Sequence, residues 1–421
     1  MRVRLAYGRS GLEVELPDDV TLIEPAHREG LPVERGAVVA ALREPIAGPS
    51  LASLARPGMR AVIVFSDITR PVPNRRILPP ILAELDAAGI RRADITLLNA
   101  TGLHRPNSRD ELIEMLGPEI VEGYRVVNHV AGDAASLESV GRTSRGTEVS
   151  LDREYLGAEL RILTGFVEPH FFAGFSGGAK SLLPGVAGEA AVLSNHGAAI
   201  LADRRATWGV TAGNPVFEEA REVARLAPPS FILNVTMNRE RAITGVFAGE
   251  LTAAHDAACA FARESAMRPV AEPFDVVLTT NSGYPLDMNL YQAVKGMSAA
   301  AGITRPGGAI VIAAECSEGV GHGHFVELLT SRESPQELLD LIHSPGFRML
   351  DQWQVQLLAE LLKRHPIYLH AHRLGADEIR RAHLQPCADL AATVAELRAA
   401  AGVNARVAVM PEGPLTIPYL S

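Results

Sequence analysis

This sequence predicts an α/β protein of two domains, each a largely parallel sheet flanked by helices. Short apolar runs stop abruptly at polar or glycine-rich segments, and amphipathic helical stretches separate them. At 421 residues the chain also exceeds the size at which a single hydrophobic core keeps growing. The runs are Ala61–Phe65 (AVIVF) before SDITRPVPN, Ile95–Leu98 before NATGLHRP, and Leu160–Leu163 before TGFVEPHFFAGFSGGAKSLLPG. Helices between successive strands imply parallel pairing, because a parallel pair needs a long crossover. In such a sheet chemistry collects at the carboxyl ends of the strands.

Taken in order, MRVRLAYGRSGLEVELPDD alternates like a strand and turns at Gly8 and Gly11, so a hairpin opens the chain. A first domain is expected over residues 1–265, with the amphipathic stretch Arg76–Ala88 as the helix before Ile95–Leu98. Ser265–Pro273 (SAMRPVAEP) is proline-bearing and non-periodic, which reads as a linker. A second domain is expected over 274–421. It opens with Phe274–Thr280 (FDVVLTT), the loop NSGYPLDMN, a helix through Leu290–Ala301 and the run Ala309–Ala314, a βαβ unit. Arg406–Met410 (RVAVM) reads as a further strand, and no repeat of 20 to 50 residues is present.

Composition narrows the function. A net charge of -9 with no lysine or arginine stripe argues against a nucleic-acid surface and for a small substrate. Cys259, Cys316 and Cys387 lie far apart with no CxxC pair, so neither a thiolate zinc site nor a disulfide framework is expected and the compartment is reducing. No apolar run approaches the ~20 residues that cross a bilayer, and the amino terminus lacks the apolar stretch of a signal peptide. A cytoplasmic protein without membrane contact is expected.

Three histidines and one lysine stand at or beyond the ends of apolar runs: His104, His170, Lys180 and His196, with Asp67 and Arg70 upstream. Imidazole works as general base, general acid or metal ligand near neutral pH. Asp67 and Arg70 follow a buried run, where arginine offers a bidentate donor to a carboxylate. The plainer reading of Asp67 is a helix cap, and that of His104 is an ordinary loop histidine. Phe166–Gly185 is more specific, with Glu168, Pro169, His170, two phenylalanines, Gly174, Gly177, Gly178, Lys180 and a Pro184-Gly185 stop. Its glycines would let backbone approach a ligand and its amides would favour an anion. GFSGGAKS is not a P-loop, since Ala179 stands where GxxxxGK[ST] requires glycine. His196, in VLSNHGA, either caps a helix or offers a nitrogen ligand to nickel, zinc or copper. Gln292 and Lys295 lie three apart beside Tyr291, hence on one helix face. His322 and His324 stand in a short loop too irregular to define a metal site.

Together DITRP, TGLHRP, EPHFFAGFSGGAKSLLPG, SNHG and YPLDMNLYQAVKG resemble the nickel-pincer lactate racemase family of 2-hydroxyacid racemases and epimerases. The resemblance implies an active site in the cleft between domains, holding a nickel pyridinium-3,5-bisthiocarboxylic acid mononucleotide made by separate cofactor-synthesis enzymes. By it, Lys180 joins the cofactor covalently and His196 ligates nickel. His104 and His170 become paired acid/base groups, and Arg70, Gln292 and Lys295 the carboxylate side. Asp67 falls to the cofactor pocket, and Tyr291 and Trp353 to the substrate pocket. The implied reaction is proton-coupled hydride transfer that inverts C2 of a 2-hydroxy acid. The residues alone leave two other readings open: a zinc hydrolase or lyase on His104, His170 and His196, and a non-catalytic carboxylate- or sugar phosphate-binding protein. Oligomeric state is not encoded in any of these motifs.

Overall fold

The structure is a computed structural model describing residues 1–421. The chain forms two compact units, one of His27–His196 with Asp203–Ser265, the other of Met1–Ala26, Gly197–Ala202 and Ala266–Ser421. No helix is long and apolar enough to cross a membrane.

The first unit holds a six-stranded sheet ordered Ile243–Gly249, Phe231–Met237, Leu160–Phe166, Ala61–Ser66, Ile95–Ala100, Arg125–Asn128. Only Ile243–Gly249 is antiparallel to its neighbour. The apolar run AVIVF is what a strand covered on both faces requires. Successive side chains alternate sides. Val62 and Val64 accordingly pack with Leu98, Leu163 and Ile232 in one core, while Ile63 and Phe65 pack with Leu97, Ile162 and Leu233 in the other. Helix Asn74–Ala87 closes the second of these with Ile77, Leu78, Ile81 and Leu85.

Winding reverses at Ala61–Ser66. The chain first adds Ile95–Ala100 and Arg125–Asn128 on one side, then returns to lay Leu160–Phe166 on the other. The carboxyl ends of Ala61–Ser66 and Leu160–Phe166 therefore flank a topological switch point, where open α/β sheets bind ligands.

The second unit holds a parallel sheet ordered Gln385–Pro386, Ile367–His370, Thr304–Ala313, Phe274–Thr280, Val407–Met410, Thr21–Leu22. Helix Leu290–Ala301 is the crossover from Phe274–Thr280 to Thr304–Ala313, as the βαβ reading requires.

The structure departs from the expected domain limits in three places. Residues 1–26 belong to the second unit, not the first. Arg2–Leu5 and Leu12–Glu15 form an antiparallel hairpin, and Thr21–Leu22 then adds a parallel edge strand to Val407–Met410. The apolar side of that hairpin needs cover, and Leu5, Tyr7, Val14 and Leu16 find it in one core with Val276, Leu278, Val311 and Val409. Residues 197–202 also cluster with the second unit, where the Gln356 amide donates to the Ala198 carbonyl at 2.9 Å. Lastly, the expected linker is ordered: Met267–Val270 pairs in parallel with Ile417–Leu420. Its proline is tolerated because a two-stranded ribbon leaves one side of each strand unpaired.

Leu5 is fully buried. Leu5→Ala is expected to cost about 2–5 kcal/mol and to speed hydrogen exchange in Phe274–Thr280 and Thr304–Ala313 while leaving Ala61–Ser66 protected. Equal acceleration in both sheets would contradict this assignment of the first 26 residues.

Candidate active site

Asp67 is the first residue beyond Ala61–Ser66 and is buried. It does not cap the following helix, whose N-cap is Pro73 without a side-chain bond. Its Oδ2 lies 2.7 Å from Nδ1 of the half-exposed His104, and its Oδ1 accepts the Thr69 hydroxyl at 2.7 Å. Burial works against its ionisation, but the His104 hydrogen bond and charge, with Thr69 and Arg70, hold its carboxyl below the usual range. A carboxylate accepts, so His104 donates from Nδ1, and when the ring is neutral its lone pair is at Nε2.

Asparagines fix that geometry. Asn107 Oδ1 accepts from the Asn99 amide at 2.9 Å and from the Ile68 N–H at 3.3 Å, tying the loop of His104 to the loop of Asp67. Asn99 also donates to Asn128 Oδ1 at 2.7 Å. Gly102 N–H donates to the Gly185 carbonyl at 3.0 Å, bringing in the segment that carries Lys180.

His170 follows Leu160–Phe166 on a two-residue strand, Pro169–His170, paired with Gly174–Phe175. It is buried, and its ring meets Phe172 edge-on with centroids 4.6 Å apart. The Ala173 N–H donates to His170 Nδ1 at 3.2 Å, so in this geometry the ring proton sits on Nε2. His104 and His170 thus stand at the carboxyl end of one sheet in opposite tautomers.

Lys180 lies in the tight turn Gly178–Ser181, with its Nζ 5.6 Å from the Phe172 ring centroid. The His196 ring contacts that same ring edge-on at 5.0 Å. His196 ends helix Glu189–Asn195, and burial, aided by the charge of Lys180, pushes its pKa down to about 3. The imidazole is therefore neutral at physiological pH.

The glycines of this segment serve packing rather than ligand approach. A Cβ on Gly174 would lie 2.1 Å from the Val210 carbonyl, one on Gly177 2.7 Å from Val167, and one on Gly178 2.3 Å from the His255 ring. The Gly178 N–H is taken by Asn234 Oδ1 at 2.9 Å, and His255 Nε2 donates to the Ser176 carbonyl at 2.9 Å. Asn234 and His255 thus form the floor beneath the Lys180 turn, and sequence reasoning missed both. Their signal was faint: an asparagine inside a largely apolar strand, and one histidine inside an alanine-rich helix.

In the second unit Lys295 Nζ donates to Gln292 Oε1 at 2.8 Å, on the single helix face expected of them. The Trp353 indole N–H meets the Tyr291 hydroxyl at 3.3 Å, and His322 packs edge-on against Tyr291 at 5.4 Å. Asp287 is structural, accepting the Gly8 and Glu315 N–H groups at 2.7 and 3.1 Å. No group of three or more His, Cys, Asp or Glu side chains is placed to hold a metal ion, so His104, His170 and His196 do not form the zinc ligand set of the alternative reading.

A compositional signal went unused. The chain has 40 lysines and arginines together, yet its only lysines are Lys180, Lys295 and Lys363. A guanidinium cannot act as an amine nucleophile, so a lysine at position 180 keeps amine chemistry possible there.

Comparison with known proteins identifies the fold and the family. The family described as lactate racemase N-terminal domain matches residues 7–209, and that described as lactate racemase C-terminal domain matches residues 270–417. The chain is 34% identical over 417 residues to the lactate racemase of Thermoanaerobacterium thermosaccharolyticum, covering 98% of this chain and 97% of that one. It is 36% identical over 382 residues to the lactate racemase of Lactiplantibacillus plantarum, covering 90% of each. The structure of the lactate racemase apoprotein from T. thermosaccharolyticum matches with a TM-score of 0.93 at 33% identity, over 99% of this chain and 100% of that one. A structural-genomics protein from Thermotoga maritima shares the fold, with a TM-score of 0.69 at 16% identity over 94% of this chain and 100% of that one. Fold and relatives define an isomerase, a racemase of two α/β units. The chain belongs to the lactate racemase family.

Burial also lowers the pKa of His255, to about 4. Both His196 and His255 stay neutral in the fold, whereas in the unfolded chain each takes up a proton below ~6.5. Stability of the first unit should therefore fall as pH drops from ~6.5 toward the folded values, by about 1.4 kcal/mol per pH unit for each ring. Urea unfolding between about pH 6 and 4 should show this slope, and His255→Gln should remove about half of it. A pH-independent midpoint would contradict the burial of neutral rings.

Proposed function

We propose that the chain inverts C2 of a 2-hydroxy acid, lactate or a close relative. In this reading His104 and His170 exchange the hydroxyl proton, and a nickel pyridinium-3,5-bisthiocarboxylic acid mononucleotide is held by Lys180 and His196. The observation that carries it is the grouping around Phe172, where one amine and one neutral imidazole approach the same ring. That pair suits a cofactor needing an amine for covalent attachment and one nitrogen ligand for a borderline metal. A ring whose pKa is about 3 keeps its lone pair for a metal at any physiological pH.

When bound, the group supplies a reversible acceptor for the C2 hydrogen as hydride. The protein supplies the proton chemistry. His104 Nε2 takes the hydroxyl proton, and the buried Asp67 carboxylate stabilises the resulting imidazolium. His170 serves the opposite enantiomer. Arg70 and Lys295 hold the substrate carboxylate, Gln292 orients Lys295, and Tyr291 with Trp353 limits the size of the substrate side chain. Maturation depends on the enzymes that make the cofactor. Three free, buried cysteines fit a reducing cytoplasm.

Protein produced together with those enzymes should carry nickel and a mass increment on the Lys180 peptide. Deuterium at C2 of the substrate should be retained in the inverted product. Washout of that label would point to plain deprotonation, and zinc without an organic adduct would point to a hydrolase or lyase. His104→Ala and His170→Ala should each lower kcat by about 10²–10⁴, and Lys180→Arg should give protein without adduct. Unchanged turnover in both histidine variants would defeat the two-base mechanism.

A further inference from the structure

One buried pair stands at the same end of the same sheet without a role in the chemistry above. Arg125–Asn128 ends at His129, whose ring is fully buried. Its Nδ1 lies 2.8 Å from Asp152 Oδ2, and its Nε2 lies 3.0 Å from the Ala187 carbonyl oxygen. A carbonyl only accepts, so Nε2 carries a proton and donates it to Ala187. Asp152 is itself anchored, because its Oδ1 accepts the Glu154 N–H at 2.9 Å and its own N–H donates to the Val186 carbonyl at 3.0 Å.

Ala187 lies between Lys180 and His196 in the chain. Toward Lys180, Gly185 N–H donates to the Lys180 carbonyl at 3.1 Å and Val186 N–H to the Leu182 carbonyl at 3.0 Å. Toward His196, Gly188 is the N-cap of the helix that His196 ends, and its N–H donates to the Ser150 carbonyl at 3.0 Å. A shift of the Ala187 carbonyl is therefore passed on in both directions. The backbone of His129 meanwhile grips the loop that carries His104. Its carbonyl accepts the Thr101 hydroxyl at 2.7 Å, and its N–H donates to the Asn99 carbonyl at 3.1 Å.

We propose that His129 is a positioning residue for the reaction: its Nε2–H bond to the Ala187 carbonyl sets the Lys180-to-His196 segment against the His104 loop, and Asp152 fixes the ring that makes it. The proposal rests on the roles given above to Lys180 and His196. Burying a polar pair adds little net stability over well-packed apolar side chains of similar volume. A directed N–H provides what an apolar filler lacks, a defined place for one carbonyl.

The scarcity of lysine makes a direct test possible. Cofactor-free protein is given a brief pulse of acetic anhydride, and acetylation is mapped at Lys180, Lys295 and Lys363. His129→Leu combined with Asp152→Asn removes the ring bond without stranding a buried carboxylate, and the amide oxygen of the substituted side chain keeps the helix cap. This variant should label Lys180 about fivefold faster relative to Lys363, the change expected from losing one hydrogen bond. Its covalent loading during maturation should fall by a similar factor. Asp152→Asn alone retains the Nε2–H bond and should keep the wild-type ratio.

An unchanged Lys180-to-Lys363 ratio in the double variant overturns the proposal, as does an equal rise at all three lysines, which marks general loosening. Should the double variant fail to fold, ¹⁵N spectra of the wild type decide, because a His129 ring lacking a slowly exchanging Nε2–H overturns it. Wild-type protein that never acquires an adduct on Lys180 defeats the proposed function instead, and the labelling ratio still reports on His129.

Discussion

A parallel sheet that reverses its winding leaves a gap at the carboxyl ends of the two strands on either side of the reversal, because their crossovers leave in opposite directions. Here those strands are Ala61–Ser66 and Leu160–Phe166. Everything in the first unit with chemical potential hangs from that end: Asp67 beyond one strand, His170 beyond the other, His104 and His129 beyond the neighbouring pair. The strands are held by cores on both faces, so the loops start from fixed points. What remains is to fix the loops, and hydrogen bonds from side chains and backbone add to the apolar packing of Leu103, Leu182 and Leu183 in doing so. Asn107 ties two of them and Gly102 ties one to the Lys180 segment.

Electrostatics follow from this scaffold. Lys180 and His196 approach one aromatic ring, and a cation disfavours a second positive charge nearby. Burial is the larger cause and the Lys180 charge adds to it, so the His196 imidazole remains neutral. The turn bearing Lys180 is equally constrained, since Val210, Val167 and His255 occupy the space a side chain at Gly174, Gly177 or Gly178 would need. A backbone packed this closely holds one position.

Much of this was legible in the sequence where the signal is local. AVIVF, FDVVLTT and the helix Leu290–Ala301 are set by composition and period within a few residues, and the structure has them there. The pairing of Gln292 with Lys295 follows from helical spacing alone. Partnerships distant along the chain were not legible. Nothing in the first 26 residues says that their apolar side is covered by Val276 and Val409, and a hairpin reads the same whichever sheet receives it. The glycines of GFSGGAKS announce a need for space without saying what fills it, so close packing against His255 read as room for a ligand. Asp67 read equally as a helix cap, and only its distance to His104 separates the two roles.

The two histidines are not interchangeable in this state, and under the proposed function the difference constrains their use as a pair of bases. His104 donates from Nδ1 to Asp67, which leaves Nε2 able to accept a proton at once and provides a carboxylate for the charge that results. His170 accepts the Ala173 N–H at Nδ1, so its single proton is on Nε2, where it donates a hydrogen bond but does not take a proton. Either form of His170 that the proposed reaction would use, imidazolium or the other tautomer, has a proton on Nδ1 facing the Ala173 N–H, and that contact would have to open first. At 3.2 Å it is a long hydrogen bond, and losing such a bond costs only about 0.5–1.5 kcal/mol. General acid–base catalysis supplies about 10²–10⁴ in rate, a larger effect, so the rearrangement is compatible with turnover from either enantiomer. If the two rings act as proposed, inversion in both directions requires a small movement at Ala173, on the tight hairpin that Gly174 permits, and none at Asp67.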